Sequence, residues 1–369
     1  MQNSSRDKNI DLLKGIAMCL VIWGHSIQYS SMGKYDFFAL PLFRFIYSFH
    51  MPLFIALSGY LLGASLYKRS FQENVRHRIA TIFWPIVTGN LLWVFLVRLP
   101  GVFFRVQSGG TSEIFPALKS ILIGKSLTGF WFLWAVLTCS IAVCIIFQKV
   151  KNPIARIAAT IIALFCTTQF PCGNLICNLF PFFLAGAWFG KEKESISPRL
   201  NNAWIGVPAV IFFFLLLPFY KEKCFIYSQV YIADMSPVQN ICVYAIRLGC
   251  GFLGIISVVF LVRFVARFAS IVNSRIVHSV LRYLKDRIVF IGENSLKFYI
   301  FQSLFFDGSW FARSLRLIGI SPQSSAIYGS IYVYQFVFTP LFALASAVLL
   351  YAIIATLEKF DKTRYLWRP

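Results

Sequence analysis

Charge is what this sequence has least of. Only 13% of its 369 residues are charged, with 14 acidic ones, and 58% are hydrophobic. Soluble domains carry about 25% charged residues, so a soluble chain of this composition could not cover its own surface. Acid is scarcer than base, and the net charge is +21. In a soluble protein that excess would point to nucleic acid. Here the Lys and Arg residues fall mostly between long apolar segments, in one alternating set of loops, which is the positive-inside pattern and excludes a nucleic-acid partner. The nine cysteines contain no CxxC pair and no metal-ligand spacing, so no metal site is expected. Cys19, Cys139, Cys144, Cys166, Cys242 and Cys250 lie in apolar runs, where a thiol behaves as a small hydrophobe. Cys172, Cys177 and Cys224 fall where they could reach the outer side, and a disulfide between two of them stays open. No small-residue cleavage site follows the first apolar stretch, so it reads as a retained helix and not a signal peptide. Strand-like alternation is missing from the apolar runs, which excludes a barrel. Repeats and low-complexity tracts are also missing, and no fused soluble domain is expected.

What remains is an all-α integral membrane protein. Ten apolar segments of spanning or near-spanning length lie near 11–30, 39–66, 79–97, 130–147, 154–170, 174–190, 203–220, 241–262, 288–305 and 330–356. Each is long enough, or nearly so, for a hydrocarbon core of roughly 30 Å. About ten transmembrane helices in one bundle are expected, forming a single membrane-embedded domain over residues 1–369. With the N-terminus inside, 23 of the 35 Lys and Arg residues fall on the inner side and nine on the outer. Both termini are therefore expected in the cytoplasm. Arg44, Arg247 and Lys297 remain within spans. The outer loops near 98–129, 221–240 and 306–329 are long enough to cover an acceptor site, and "SEIFPALKSILIG" (112–124) reads as a short surface helix. The inner stretch 267–287 reads as a basic amphipathic helix on the membrane surface.

Ionisable groups within spans are rare and usually functional. The first segment, "IDLLKGIAMCLVIWGHS", carries Asp11, Lys14 and His25. Eleven residues make nearly three full helical turns, so Lys14 and His25 share a stripe, roughly 16 Å apart along the axis. They cannot touch. One stripe thus offers a cation at the inner mouth and, deeper in, an imidazole able to act as a neutral base near physiological pH. Asp11, one turn before Lys14, suits an N-cap and a functional role equally. The second segment, "RFIYSFHMPLFIALSGYLLG", holds Arg44 and His50 on different faces. Arg44 either snorkels to the outer interface or binds substrate. His50 precedes Pro52, which frees a carbonyl, so the ring is either a second site residue or bonded to that freed group. Arg76 and Arg78 stand at the mouth of the third helix, as positive-inside anchors or as a phosphate clamp. In "GENSLKFYIFQS", Glu293 and Lys297 are spaced as an intrahelical i, i+4 pair. Gln302 lies deeper, where an amide needs partners.

Together these motifs resemble membrane acyltransferases of the acyltransferase-3 group, bacterial enzymes that acylate carbohydrates. The opening matches the family's first-helix signature, a basic residue (Lys14) and a His (His25) separated by ten residues. "FHMPLFIALSGYLLG" is similar to the second-helix signature. "FWFLWAVL", "FPFFLAGAWFG" and "IGENSLKFYIFQS" resemble later ones in the right order, so the likeness covers nearly the whole chain. There are departures. Lys14 stands where Arg is common, and an ammonium is a point charge where a guanidinium is a fork. The third-helix arginines read Arg76-His77-Arg78 instead of Arg-x-x-Arg. Gln302 stands where relatives often have His.

The resemblance implies an acyl-CoA donor, most often acetyl-CoA, and transfer to a sugar hydroxyl. On that reading His25 is the general base or a covalent acyl relay, with Asp11, Lys14 and His50 in the catalytic set. Arg76, Arg78 and Lys14 meet the donor phosphates, and Arg44 and Trp131 bind substrate. The acceptor is a surface or lipid-linked glycan, such as O-antigen or exopolysaccharide, and the setting is the bacterial inner membrane among its lipids. A monomer and a homo-oligomer both stay open. The competing reading is a polytopic transporter or flippase, against which stands the lack of paired broken helices in two related halves.

Overall fold

Backbone groups in hydrocarbon have no water to bond, so a spanning segment must close its hydrogen bonds within itself. In the computed structural model the described residues form helices and no strands. The structure describes residues 7–98, 130–167, 173–192, 202–272, 274–306, 315–316, 319–321 and 326–359. The surface helix expected over 112–124 lies outside them, as do most of the loops near 98–129 and 306–329.

Among the described residues, seven helices are long and apolar enough to cross a membrane, and two apolar helices, Pro153–Cys166 and Ala203–Phe219, are shorter. Helix α1 (Lys8–Ser30) starts at Asp7, whose carboxylate accepts from the Asn9 amide at 3.0 Å. Asp7, not Asp11, is therefore the N-cap. Helix α2 (Pro41–Gly63) starts on a proline that supplies the fixed φ of a first turn. Helix α3 (Phe71–Arg78) opens with a capping box between Ser70 and Glu73 and runs through a π-helical turn, Ile79–Phe83, into α4 (Trp84–Trp93). Then come α5 (Trp131–Cys144), α6 (Pro153–Thr167), α7 (Gly173–Lys191) and α8 (Ala203–Leu216). Helix α9 (Pro237–Ile271) has 35 residues. That is about 52 Å of helix, well beyond the hydrocarbon thickness.

The stretch read as one surface helix over 267–287 is divided. Residues up to Ile271 finish α9, and α10 (Arg275–Glu293) starts anew at Ser274. The span expected over 288–305 is also two pieces, because α10 ends at Glu293 and α11 (Ser295–Phe306) follows Asn294. Glu293 and Lys297 thus do not share one continuous helix. Lys297 forms an ion pair with Glu358, just past α12 (Thr339–Leu357), tying α11 to the last helix.

Helices in lipid gain little from the hydrophobic effect and associate by close packing, which favours small residues. The α2–α7 pair shows this. A Cβ added at Gly59 or Gly63 would fall on the carbonyl oxygens of Phe183 or Ala187, and one at Gly186 or Gly190 on those of Ala56 or Tyr60. Four glycines, spaced i, i+4 on each helix, let the two backbones touch. Helix α1 packs on α10 in the same manner, with Gly15 against the Ile288 carbonyl and Gly292 against that of Asp11.

Large apolar side chains cover the outside of the bundle: Phe165, Trp204, Phe212, Phe264 and Leu341 are all exposed. An apolar belt of this extent is what a lipid-facing surface requires. Cys177 and Cys224 are buried and are not joined to each other by a disulfide, and Cys172 lies outside the described residues.

Candidate active site

Helices α1 and α2 run antiparallel, so the far half of α1 faces the first half of α2; Gly24 meets the Tyr47 ring. This brings His25 and His50 to one cavity of about 210 Å³. Its wall also holds Gln28 and Tyr29 of α1, Met51 of α2, Trp131 of α5, Tyr299, Ser303 and Phe306 of α11, and Tyr227 from the loop between α8 and α9. Drug-sized ligands occupy pockets of roughly 300–1,000 Å³, so this space suits the reacting ends of substrates and not a whole nucleotide-bearing molecule.

His25 is only partly buried despite its depth. Its ring sits edge-on to Tyr29 (5.6 Å, 71°) and Phe306 (5.9 Å, 86°). Gln302 is its polar side-chain neighbour. Among the described residues Nδ1 of His25 and Oε1 of Gln302 have no hydrogen-bond partner. Gln302 is fully buried and also donates to Ser303 Oγ at 3.1 Å.

His50 is buried, with Nδ1 2.8 Å from the Ile46 carbonyl oxygen. A carbonyl only accepts, so Nδ1 carries the proton and Nε2 is the lone-pair nitrogen of the neutral ring. The partner is the carbonyl four residues back from His50 itself. It is not the one that Pro52 frees, which belongs to Ser48.

Of the residues expected at a site, His25, His50 and Trp131 meet in the cavity. The others do not. Arg44 donates through Nε to the Phe38 carbonyl at 2.8 Å, holding the 3-10 turn Phe37–Ala39. Asp11 is buried beside α10, and Lys14 is half-buried one turn on. Arg76 is exposed; Arg78 is half-buried, and its Nε has no partner among the described residues. Since α1 and α3 run in the same direction, Lys14, Arg76 and Arg78 stand at one end of the bundle, and the His25 cavity lies toward the other. Arg78 also borders the π-helical turn, a feature that recurs at functional sites.

Sequence reasoning missed several wall residues. Tyr29 lies one turn beyond His25 and could have been found by helical spacing. Tyr299 and Ser303 lie one turn apart on α11, beside a Gln302 already singled out. Tyr227 lies in a loop far along the chain and gave no signal. Among the described residues, no three His, Cys, Asp or Glu side chains gather in a way that could hold a metal ion.

A family model described as an acyltransferase domain matches residues 7–358. The chain belongs to the acyltransferase-3 family. All the wall residues of the cavity fall within the matched region of this acyltransferase-3 chain. Two curated relatives are both called nodulation protein NolL. The one from Mesorhizobium japonicum (strain LMG 29417 / CECT 9101 / MAFF 303099) is 28% identical over 245 residues, covering 64% of this chain and 63% of the relative. The one from Sinorhizobium fredii (strain NBRC 101917 / NGR234) is 33% identical over 196 residues, covering 52% of this chain and 50% of the relative. The chain thus spans between half and two thirds of the length of these relatives. No solved structure matches it.

Proposed function

We propose that this protein is a multi-pass O-acyltransferase of the bacterial inner membrane. It moves an acyl group, in the first place acetyl, from acyl-CoA to a hydroxyl of a surface or lipid-linked glycan. One observation carries the reading: two imidazoles from antiparallel helices share a small aromatic-walled cavity inside the bundle of an acyltransferase-family chain.

The donor's charged portion is too large for that cavity and stays at the opposite end of the bundle. There Arg76, Arg78 and Lys14 supply cations for its phosphates, and the unpartnered Arg78 Nε fits such a role. Asp11, packed beside α10, positions Lys14. The acyl-pantetheine arm reaches inward to His25. In direct transfer His25 takes the proton of the attacking hydroxyl; the new C–O bond forms, the thioester C–S bond breaks, and the proton passes to the departing thiolate. In the relay, the imidazole nitrogen attacks the thioester, the C–S bond breaks and the ring proton leaves with the thiolate as CoA thiol; the hydroxyl then attacks the acyl-imidazole, the acyl–nitrogen bond breaks and the hydroxyl proton returns to the ring. His50 Nε2 offers a second acceptor that orients the hydroxyl. Trp131 lies against the sugar.

The test uses purified protein in detergent with labelled acetyl-CoA and glycan from cells lacking the gene. Ester-linked label on the glycan and matching release of CoA are expected. Glycan movement seen only in sealed vesicles, with no ester formed, would replace this reading with transport. Gln302→Leu removes the polar neighbour of His25, and we expect maximal transfer to fall about tenfold with the acceptor KM little changed, the mark of lost base orientation. Unchanged turnover in that variant would show that Gln302 does not hold the imidazole.

A further inference from the structure

Arg247 of α9 is the largest fully buried side chain among the described residues, at 1% exposure. Burying a guanidinium is costly unless its donors are satisfied. It is satisfied here by backbone oxygens of one loop. Nε donates to the Cys224 carbonyl at 3.0 Å, and Nη2 donates to those of Lys223 at 2.9 Å and Gln229 at 3.4 Å. Nη1 donates to Asn178 Oδ1 of α7 at 2.5 Å. The Asn178 amide in turn donates to the carbonyls of Ile226 (2.9 Å) and Ser228 (3.0 Å). Two linked side chains on two helices therefore hold five carbonyls between Lys223 and Gln229.

At the centre of that clamp stands Tyr227. It is 40% exposed and yet lines the His25 cavity, so it sits at the mouth. Its ring meets Trp131 edge-to-face at 5.9 Å and 75° and tilts against the Tyr47 ring at 6.1 Å, and Tyr47 donates to Gln28 Oε1 at 3.4 Å. Phe225, two residues before it, is buried against Phe38 and Phe43. The loop is fixed on both sides of Tyr227 while its ring stays reachable.

We propose that the pinned loop Lys223–Gln229 is the acceptor-recognition element, with Tyr227 and Trp131 as the wall against which a pyranose ring lies. This rests on the acyl-transfer reading above. The C–H face of a sugar ring packs on aromatic carbon, and its hydroxyls find the phenol edges. Arg247 and Asn178 are positioning residues: they touch no substrate and act by fixing the backbone around Tyr227. A buried cation serving carbonyls of one short loop, where apolar packing could have filled the space, is explained by the need to hold that loop in place.

The experiment measures transfer from acetyl-CoA against acceptor and donor concentration in turn. For Tyr227→Ala the acceptor KM is expected to rise about tenfold, with the donor KM within about twofold. Asn178→Asp keeps a partner for Arg247 but replaces the amide donors with a carboxylate facing the Ile226 and Ser228 carbonyls. The same rise in acceptor KM is expected. The double variant is expected to be no worse than either single one, because both changes remove one interaction. An acceptor KM unmoved in Tyr227→Ala, an equal change in both KM values, or fully additive effects would overturn the proposal. Absence of any transfer by the wild type would instead sink the acyl-transfer reading beneath it.

Discussion

His25→Ala is expected to lower acyl transfer about 10³-fold, the usual contribution of a positioned general base. The physical case is the position of the ring. It is deep in the bundle, partly open to the cavity, and bordered by Tyr29, Phe306 and Gln302. Alanine leaves the attacking hydroxyl without an acceptor for its proton, and the cost falls on turnover more than on KM. His50→Ala should cost less, about tenfold, since its Nδ1 is committed to the Ile46 carbonyl and its role is orientation. Transfer kinetics of both variants with labelled acetyl-CoA decide the matter. A His25→Ala protein within tenfold of the wild type would remove His25 from the chemistry. Acid quenching without acceptor separates the two routes: label retained on the wild type and lost in His25→Ala favours the relay.

Gly186→Val is expected to destabilise the bundle by about 3 kcal/mol or more, at the upper end of overpacking costs. The obstacle is backbone. A Cβ there meets the Ala56 carbonyl oxygen, with the carbonyl carbon at 2.8 Å and Cα at 3.0 Å. No rotamer change relieves that, so α2 and α7 must separate along a seam whose four glycines depend on one another. Since α2 carries His50, activity should fall with stability. Gly249→Ala is the control. Its Cβ would meet only the flexible end of Leu216, 2.8 Å away. Alanine is favoured over glycine in a helix by about 1 kcal/mol, which offsets that contact. Melting in detergent followed by size-exclusion chromatography reads both. A Gly186→Val protein that melts with the wild type would show that the seam does not govern assembly.

Parts of this site were legible in the chain. His25 stood out because an ionisable ring in an apolar run is expensive wherever the helix lies, and hydropathy is a one-dimensional property. His50 and Trp131 could be proposed singly. Their meeting with His25 could not, because it depends on the antiparallel packing of α1 and α2 and on where α5 docks. Arg247 could be seen as a charge within a span, but its partners Asn178 and Lys223–Gln229 lie on other elements. Lys297 was matched to Glu293 by spacing alone; its ion pair with Glu358, beyond the end of the last helix, could not be read from one segment.

By itself the sequence determined the solvent, the helical class, the family resemblance and the base candidate. Each follows from residue type and from spacing along one helix, which the peptide geometry fixes. Only the tertiary structure decided which polar groups share a cavity, which loop walls it, and which glycines let backbones touch. Those depend on distances between helices, and helix contacts in lipid are selected by shape at a few small residues and not by any pattern repeated along the chain.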